Sequence, residues 1–159
     1  MEEISEKKIH VEIVTPYELF YENDIQQLVL PAVDGEIGIW PGHTPVIIAL
    51  HPGELRMVKN NHKSYVAVSD GYAHIDMDNA IVVVGSAEWP EQIDEERVQK
   101  ALDRALQRIS DPATSKQEVA RSRRGLLRAK TRLKVASKKS EVSADEVCYT
   151  GKVYDEDLD

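Results

Sequence analysis

Up to residue 93 the apolar positions come in short runs or in alternation with polar ones. The runs lie at 9–15, 25–30, 46–50, 54–58, 64–69, 73–77 and 80–85. Val, Ile and Tyr dominate them, which suits a pleated, half-buried surface. Turn formers stand between them: Asp34-Gly35, Pro41-Gly42, Pro52-Gly53, Asn60-Asn61, Asp70-Gly71 and Asp78-Asn79. Short strands at close spacing with such punctuation predict a β-sandwich or barrel. No helical repeat is sustained in this stretch.

The period then changes. Val98, Ala101, Leu102, Ala105, Leu106 and Ile109 follow the i, i+3, i+4, i+7 spacing of an amphipathic helix. Asp94 is a good N-cap for it, because a carboxylate there accepts from a free backbone N–H one turn in. Ser110-Asp111-Pro112 stops the helix. Ser115-Lys116-Gln117-Glu118 then reads as a capping box opening a second helix that runs to about Lys138. Val119, Leu126 and Leu133 repeat at seven, with Ala120 and Leu127 beside them. Two helices joined by a short loop predict an antiparallel hairpin with a narrow, alanine-rich seam. Such a hairpin is marginal alone and is expected to dock on something else. The chain therefore divides into a β-sandwich over 1–88, a helical hairpin over 89–139 and an acidic tail over 140–159. The tail is expected to be disordered, with Val147-Cys148-Tyr149 as a strand fragment at most.

Charge sharpens this division. The net charge is −8, yet residues 1–92 carry 5 basic and 15 acidic side chains and residues 93–139 carry 14 basic and 6 acidic. The last twenty positions return to 1 basic and 7 acidic. Such asymmetry marks separate units with separate partners. An acidic sandwich repels phosphate backbones, which argues against nucleic acid as the partner even though the second helix is basic. The longest apolar run is five residues, against about 20 for a membrane span, and the acidic start Met1-Glu2-Glu3-Ile4 has no signal-peptide pattern. Cys148 alone makes neither an internal disulfide nor a cysteine zinc site, so a reducing compartment is expected.

Catalytic patterns are missing from the sequence. His10, His51, His62 and His74 show no metal-ligand spacing. Gly35-Glu36-Ile37-Gly38 leads no helix and is not a nucleotide fingerprint. His43, in the rigid turn Trp40-Pro41-Gly42-His43-Thr44-Pro45, is open to a loop function or to simple turn packing. The second helix offers more. Arg124, Arg128 and Arg132 follow i, i+4, i+8, with Arg121 one turn before, and like charges so placed oppose a helix by about 0.2–0.5 kcal/mol per pair. Arg97 and Arg104 share a face of the first helix. A guanidinium stripe of this kind is either a solvated face or a site for carboxylate or phosphate.

Several motifs in order connect the chain to a family. Gly35-Glu36-Ile37-Gly38-Ile39-Trp40-Pro41-Gly42-His43-Thr44-Pro45 resembles the G-E-x-G-I-x-P-G-H-x-P signature of the epsilon subunit of bacterial F-type ATP synthases. Val11-x-x-Val14-Thr15-Pro16, Pro52-Gly53-Glu54-Leu55, Ser69-x-Gly71 and Ile93-Asp94-x-x-Arg97 match further family segments, and the resemblance covers roughly residues 8–138. Val98 stands where the family pattern has Ala. The resemblance implies a ten-stranded β-sandwich followed by the hairpin, in a non-catalytic central-stalk subunit at the cytoplasmic face of the plasma membrane. It implies gamma, the c-ring and the beta subunits as partners, without direct membrane insertion. It implies a hairpin that permits ATP hydrolysis when folded on the sandwich and blocks rotation when extended. Glu36 and His43 then fall on loops that resemble the c-ring contact. Arg121, Arg123, Arg124 and Arg128 fall on the helix that faces acidic beta-subunit segments. No cofactor is required. ATP is the implied regulatory ligand, with contacts at Glu88, Ile93, Asp94, Arg97, Arg104, Arg128 and Arg132.

Overall fold

The computed structural model describes residues 7–138 and the backbone of Lys152–Val153; the expected acidic tail otherwise lies outside the described residues. Ten strands precede two helices: β1 Ile9–Val14, β2 Glu18–Ile25, β3 Gln27–Ala32, β4 Gly35–Ile39, β5 Val46–Leu50, β6 Gly53–Lys59, β7 His62–Val68, β8 Gly71–Ile75, β9 Asn79–Val84 and β10 Ala87–Glu88. A single turn of tight helix, Pro90–Gln92, leads into α1 Glu95–Ser110 and α2 Lys116–Ala136. A further short strand, β11 Lys152–Val153, lies antiparallel to β2. The expected sandwich followed by a hairpin is the observed fold.

One continuous sheet, in the order β10-β7-β6-β3-β5-β8-β9-β1-β2-β11, makes both layers, with β4 paired to β3. It turns from one layer to the other at the single bridge Ala32–Leu50 between β3 and β5. Pairing is antiparallel except between β1 and β9. β1 shows why the sequence closes this way. Ile9, Val11 and Ile13 point inward and are fully buried, while His10, Glu12 and Val14 point outward, the period-2 alternation of a half-buried strand. Leu28, Leu30, Ile39, Leu55, Met57, Val66, Ile75 and Val82 complete the dry interior.

Three strands escaped the sequence pattern. β2 carries Glu18, Glu22, Asn23 and Asp24 among its apolar residues, so alternation is hidden. β4 is short and holds two glycines. β10 has two residues only. The apolar run at 25–30 straddles the break between β2 and β3 at Gln26.

The outer face of the β5-β8-β9-β1-β2 layer divides by chemistry. The register places Ile47, His74, Ile81, Glu12 and Glu22 in one row across five strands. The next row is Ala49, Tyr72, Val83 and Val14. The β5-β8-β9 end is thus apolar and open to solvent, Ile47 being 71% and Tyr72 50% exposed. At the β1-β2 end, a hydrogen bond to Asp24, opposed by partial burial and helped by Glu22, holds the His10 imidazole above its ordinary pKa.

Candidate functional site

Both helix starts form as their sequences dictate. The Asp94 side chain accepts from the Arg97 amide at 3.1 Å, and Ser115 accepts from the Glu118 amide at 3.3 Å. The seam is narrow and built from small side chains, as expected, with the leucine repeat at its edge. The buried residues are Ser122, Ala129, Thr131, Val135 and Ala136 on α2 and Val98 and Ala105 on α1, with Thr131 bordering the sandwich beside Ala67 and Glu88. Leu126, Leu127 and Leu133 are half-buried and Leu106 is exposed. Small residues let the helix axes approach, which leaves the larger side chains at the rim. The hairpin therefore keeps apolar surface that it does not use on itself.

The hairpin docks on β6 and β7 through a second, thin cluster separate from the sandwich core. Ala67, Ile93, Val98, Ala129, Val135 and Ala136 form it, with Tyr65, Leu102 and Leu133 packed at its edge. Val98, the departure from the family's Ala, is fully buried here and widens the apolar contact. Trp89, the first residue after β10, belongs to the sandwich instead. It stacks on Phe20 at 5.1 Å and meets Tyr21 edge-on at 5.8 Å. The turn Pro90–Gln92 is the joint between the two clusters.

Two charged clasps flank the docking cluster. Arg132 Nη2 donates to Glu88 Oε2 at 2.9 Å, and its Nε lies 2.7 Å from Oε1 without the N–H being aligned on that oxygen. Lys138 Nζ donates to Glu54 Oε1 at 2.8 Å and lies 2.7 Å from Oε2, while also standing 4.5 Å above the Tyr65 ring. Glu54 is the unusual member: its side chain is only 2% exposed, with Lys134 and Arg56 each at 4.0 Å. An acidic side chain so buried requires a paired cation, and the hairpin supplies that cation.

Six of the seven residues expected to contact ATP divide three ways. Glu88 and Arg132 hold each other. Ile93 and Asp94 serve the docking cluster and the α1 cap. Arg104 and Arg128 line an open groove of about 550 Å³ between the helices, together with Arg121, Ala101, Ala105, Ser122 and Gly125. Arg108, which the sequence reading missed, completes the lining; its i+4 spacing from Arg104 is the signal that marks it. A Cβ added at Gly125 would meet nothing within 4 Å. No ion pair engages Arg104, Arg108, Arg121 or Arg128 among the described residues. Arg97, Arg123 and Arg124 are exposed and lie outside the groove lining.

Glu36 and His43 each have a partner of their own. Glu36 lies within β4 rather than on a loop, and it accepts from Arg56 Nη2 at 2.6 Å. His43 Nδ1 donates to the Thr44 carbonyl at 2.7 Å. Its loop is pinned by the Gly42 amide, which donates to the Met77 carbonyl at 2.7 Å. Gly42 has φ +85°, a conformation that glycine takes without cost. The same loop end exposes Trp40 and Met77.

The comparisons agree with this construction along its length. The beta-sandwich domain of the ATP synthase delta/epsilon chain matches residues 8–90, and the long alpha-helix domain of the same chain matches residues 91–137. The chain belongs to the ATP synthase delta/epsilon family. Among curated relatives, the ATP synthase epsilon chain of Caldanaerobacter subterraneus subsp. tengcongensis is 35% identical over 138 residues, covering 86% of this chain and 99% of that one. The epsilon chain of Shouchella clausii is 37% identical over 131 residues, covering 82% and 96%. That of Nitratidesulfovibrio vulgaris is 38% identical over 130 residues, covering 82% and 96%. The fold is shared with a chain of the Euglena gracilis mitochondrial ATP synthase OSCP/F1/c-ring structure, at TM-score 0.71 and 21% identity over 78% of each chain. As a member of the delta/epsilon family the chain is an ATP synthase subunit of the epsilon type. Among the described residues no helix is long and apolar enough to cross a membrane.

Proposed function

We propose that this chain is a non-catalytic rotor-stalk subunit of a bacterial F-type ATP synthase, held peripherally at the cytoplasmic face of the membrane. It couples gamma to the c-ring and restrains ATP hydrolysis through its hairpin. The observation that carries the reading is the way the hairpin is attached. It sits on the sandwich through a thin layer of small side chains and two solvent-edged charge clasps, and its leucines and arginines remain at the rim. An element so held leaves the sandwich at a cost of a few kcal/mol, which is what a bistable regulator requires.

The rest of the surface supports specific partners. The exposed apolar rows around Ile47, Tyr72 and Ile81 suit gamma, since a contiguous apolar face of this kind marks a protein interface. The loop end with Trp40, His43 and Met77, and Glu36 on β4, suits the c-ring. Arg121, Arg123, Arg124 and Arg128 suit acidic beta-subunit segments when the hairpin is extended. ATP is the proposed regulatory ligand of the docked state. A groove of this size lies in the range that holds small ligands, about 300–1,000 Å³, and its arginines repel one another until a polyphosphate neutralises them. A phosphate reaching Arg132 competes there with Glu88.

Reconstitution tests the reading. The enzyme assembled with the chain should hydrolyse ATP more slowly than the enzyme without it. Replacing Arg121, Arg123, Arg124 and Arg128 together by Ala should release the restraint. Exposed pairs are worth about 0–1 kcal/mol each, so single changes release little. An assembled enzyme equally restrained by the fourfold variant contradicts the electrostatic part of the proposal. Failure of the chain to bind gamma contradicts the stalk assignment.

A further inference from the structure

Glu12 of β1 and Glu22 of β2 stand directly opposite each other in register on the outer face of the sandwich. Like charges so placed destabilise a strand pair. Asp24 stands opposite His10 one step along the same face, so three carboxylates share this corner. The cationic side chains that could offset them are absent: among the described residues the only group in ion-pair reach of all three is the His10 imidazole. The neighbouring strand β9 contributes Asn79 and Ile81 to these rows, neither of them charged.

The imidazole is also oriented. His10 Nδ1 lies 2.7 Å from Asp24 Oδ1. That bond makes Nδ1 the donor and turns Nε2 toward the two glutamates, 3.2 Å from Glu22 Oε1 and 3.8 Å from Glu12 Oε1. One ligand atom from each of His10, Glu12 and Glu22 lies within 4.8 Å of the others. Tetrahedral bonds of about 2.0–2.2 Å set donors about 3.3–3.6 Å apart, a spacing that the 3.2 Å and 3.8 Å separations of Nε2 from the two glutamates bracket. A carboxylate on the far nitrogen of a ligating histidine is the usual outer support of such a ligand, fixing tautomer and ring plane.

We propose that His10, Glu12 and Glu22 form a binding site for a divalent transition-metal ion of the zinc class, with Asp24 orienting His10. One nitrogen and two carboxylate oxygens are the donor set for such an ion, and water takes the remaining position. The ion ties β1 to β2 and relieves the repulsion built into their register. The site lies at the polar end of the face whose other end is apolar, in the row that contains Ile81 and Ile47.

The test uses the full chain, freed of metal by a chelator, at about pH 8, well above the ordinary histidine value. A Cys148→Ser background removes the thiol as a competing ligand. Zn²⁺ is titrated by calorimetry, and Co²⁺ by its visible absorption. One ion per chain is expected, with a rise in melting temperature. His10→Ala and Glu22→Gln should abolish both signals, His43→Ala should leave them intact, and Asp24→Ala should weaken binding about 10–100-fold. The variants change surface side chains, and circular dichroism checks that each stays folded. Absence of saturable Zn²⁺ binding overturns the proposal. So does binding that survives both His10→Ala and Glu22→Gln, or Ca²⁺ binding as tight as Zn²⁺, which would mean that the imidazole takes no part.

Discussion

The sandwich core and the hairpin seat are both apolar clusters, but they are built for different lifetimes. The core interleaves long branched side chains from both layers, and Ile9, Ile13, Leu28, Leu30, Leu55 and Ile75 are wholly dry. The seat joins Ala129, Val135 and Ala136 of α2 and Val98 of α1 to Ala67 and Tyr65. Each buried methylene contributes about 0.8 kcal/mol, so the small residues of the seat hold the hairpin far less firmly than the core holds its strands. Charge follows the same logic. The core contains none, while the seat is bracketed by Glu88–Arg132 and Glu54–Lys138, whose cations reach toward water. Ion pairs with one solvated partner add direction at little net strength. On the proposed function, one unit stays folded while the other leaves its seat.

The largest expected effects break the sandwich. Trp89→Ala should cost about 3–5 kcal/mol and Leu55→Ala about 2–5 kcal/mol of unfolding free energy, read by denaturant melts of the β signal. Val135→Ala, which removes about two methylene equivalents from the seat, should cost about 1–2 kcal/mol and loosen only the hairpin. A fragment of residues 1–92 should keep the cooperative β melt of the full chain. If Val135→Ala lowers the β melt as much as Leu55→Ala does, the two clusters are one core.

The clasp at Glu54 gives the next effect, and its sign is unusual. Lys138→Met leaves a carboxylate buried without its nearest cation, whereas Glu54→Gln leaves a lysine that turns to solvent. Stranding a buried charge is the costlier change, by up to about 3–5 kcal/mol. Lys138→Met should therefore undock the hairpin more than Glu54→Gln, as read by fluorescence transfer between labels on α2 and β7. The opposite ranking would mean that Glu54 is held by Arg56 and Lys134 instead.

Much of this was legible beforehand, and the rest was hidden for definable reasons. Asp94 and Ser115 cap where the sequence placed them, because a cap is a local interaction. Alternation gave away strands such as β1 and β9, which lie between two neighbours. It failed for β2, where Asn23 stands opposite inward-facing Val11 and the register shifts beside Val14, and for β4, whose glycines mimic a loop. The arginine types were visible, but their division was not. Arg132 finds Glu88 forty-four positions away and Lys138 finds Glu54 eighty-four away, and nothing local encodes where a hairpin lies down. The small-residue seam was legible, whereas the place of the leucine repeat at its edge was not: the repeat marks the helix face richest in apolar area, while the seam took the smallest side chains.

A smaller effect separates helix stability from the groove. Gly125→Ala should stabilise α2 by about 0.5–1 kcal/mol, because the new methyl group meets open space. The same methyl occupies the arginine-lined groove, so ATP binding by the isolated chain should weaken several-fold while the thermal melt rises. Unchanged ATP binding would place the ligand elsewhere.

The smallest effect belongs to the sandwich at high pH. Burial pushes the Tyr21 phenol up to about 12, with an Asn23 hydrogen bond partly opposing it. The folded state therefore holds this proton more tightly than the unfolded one. Its contribution is complete below about pH 10, the unfolded value, and disappears as pH rises through about 12. Ultraviolet titration should show one tyrosine ionising late, and Tyr21→Phe should remove that step.

Native-state hydrogen exchange on the full chain, without any ligand, tests the central claim most directly. Amides of α1 and α2 should exchange through an opening that leaves β1, β3, β6 and β9 protected, with a free energy well below that of global unfolding. Val135→Ala should lower the helix value and leave the strand value unchanged. A single exchange free energy shared by the helices and the strands would contradict the account, because the hairpin would then be unable to leave the sandwich without unfolding it.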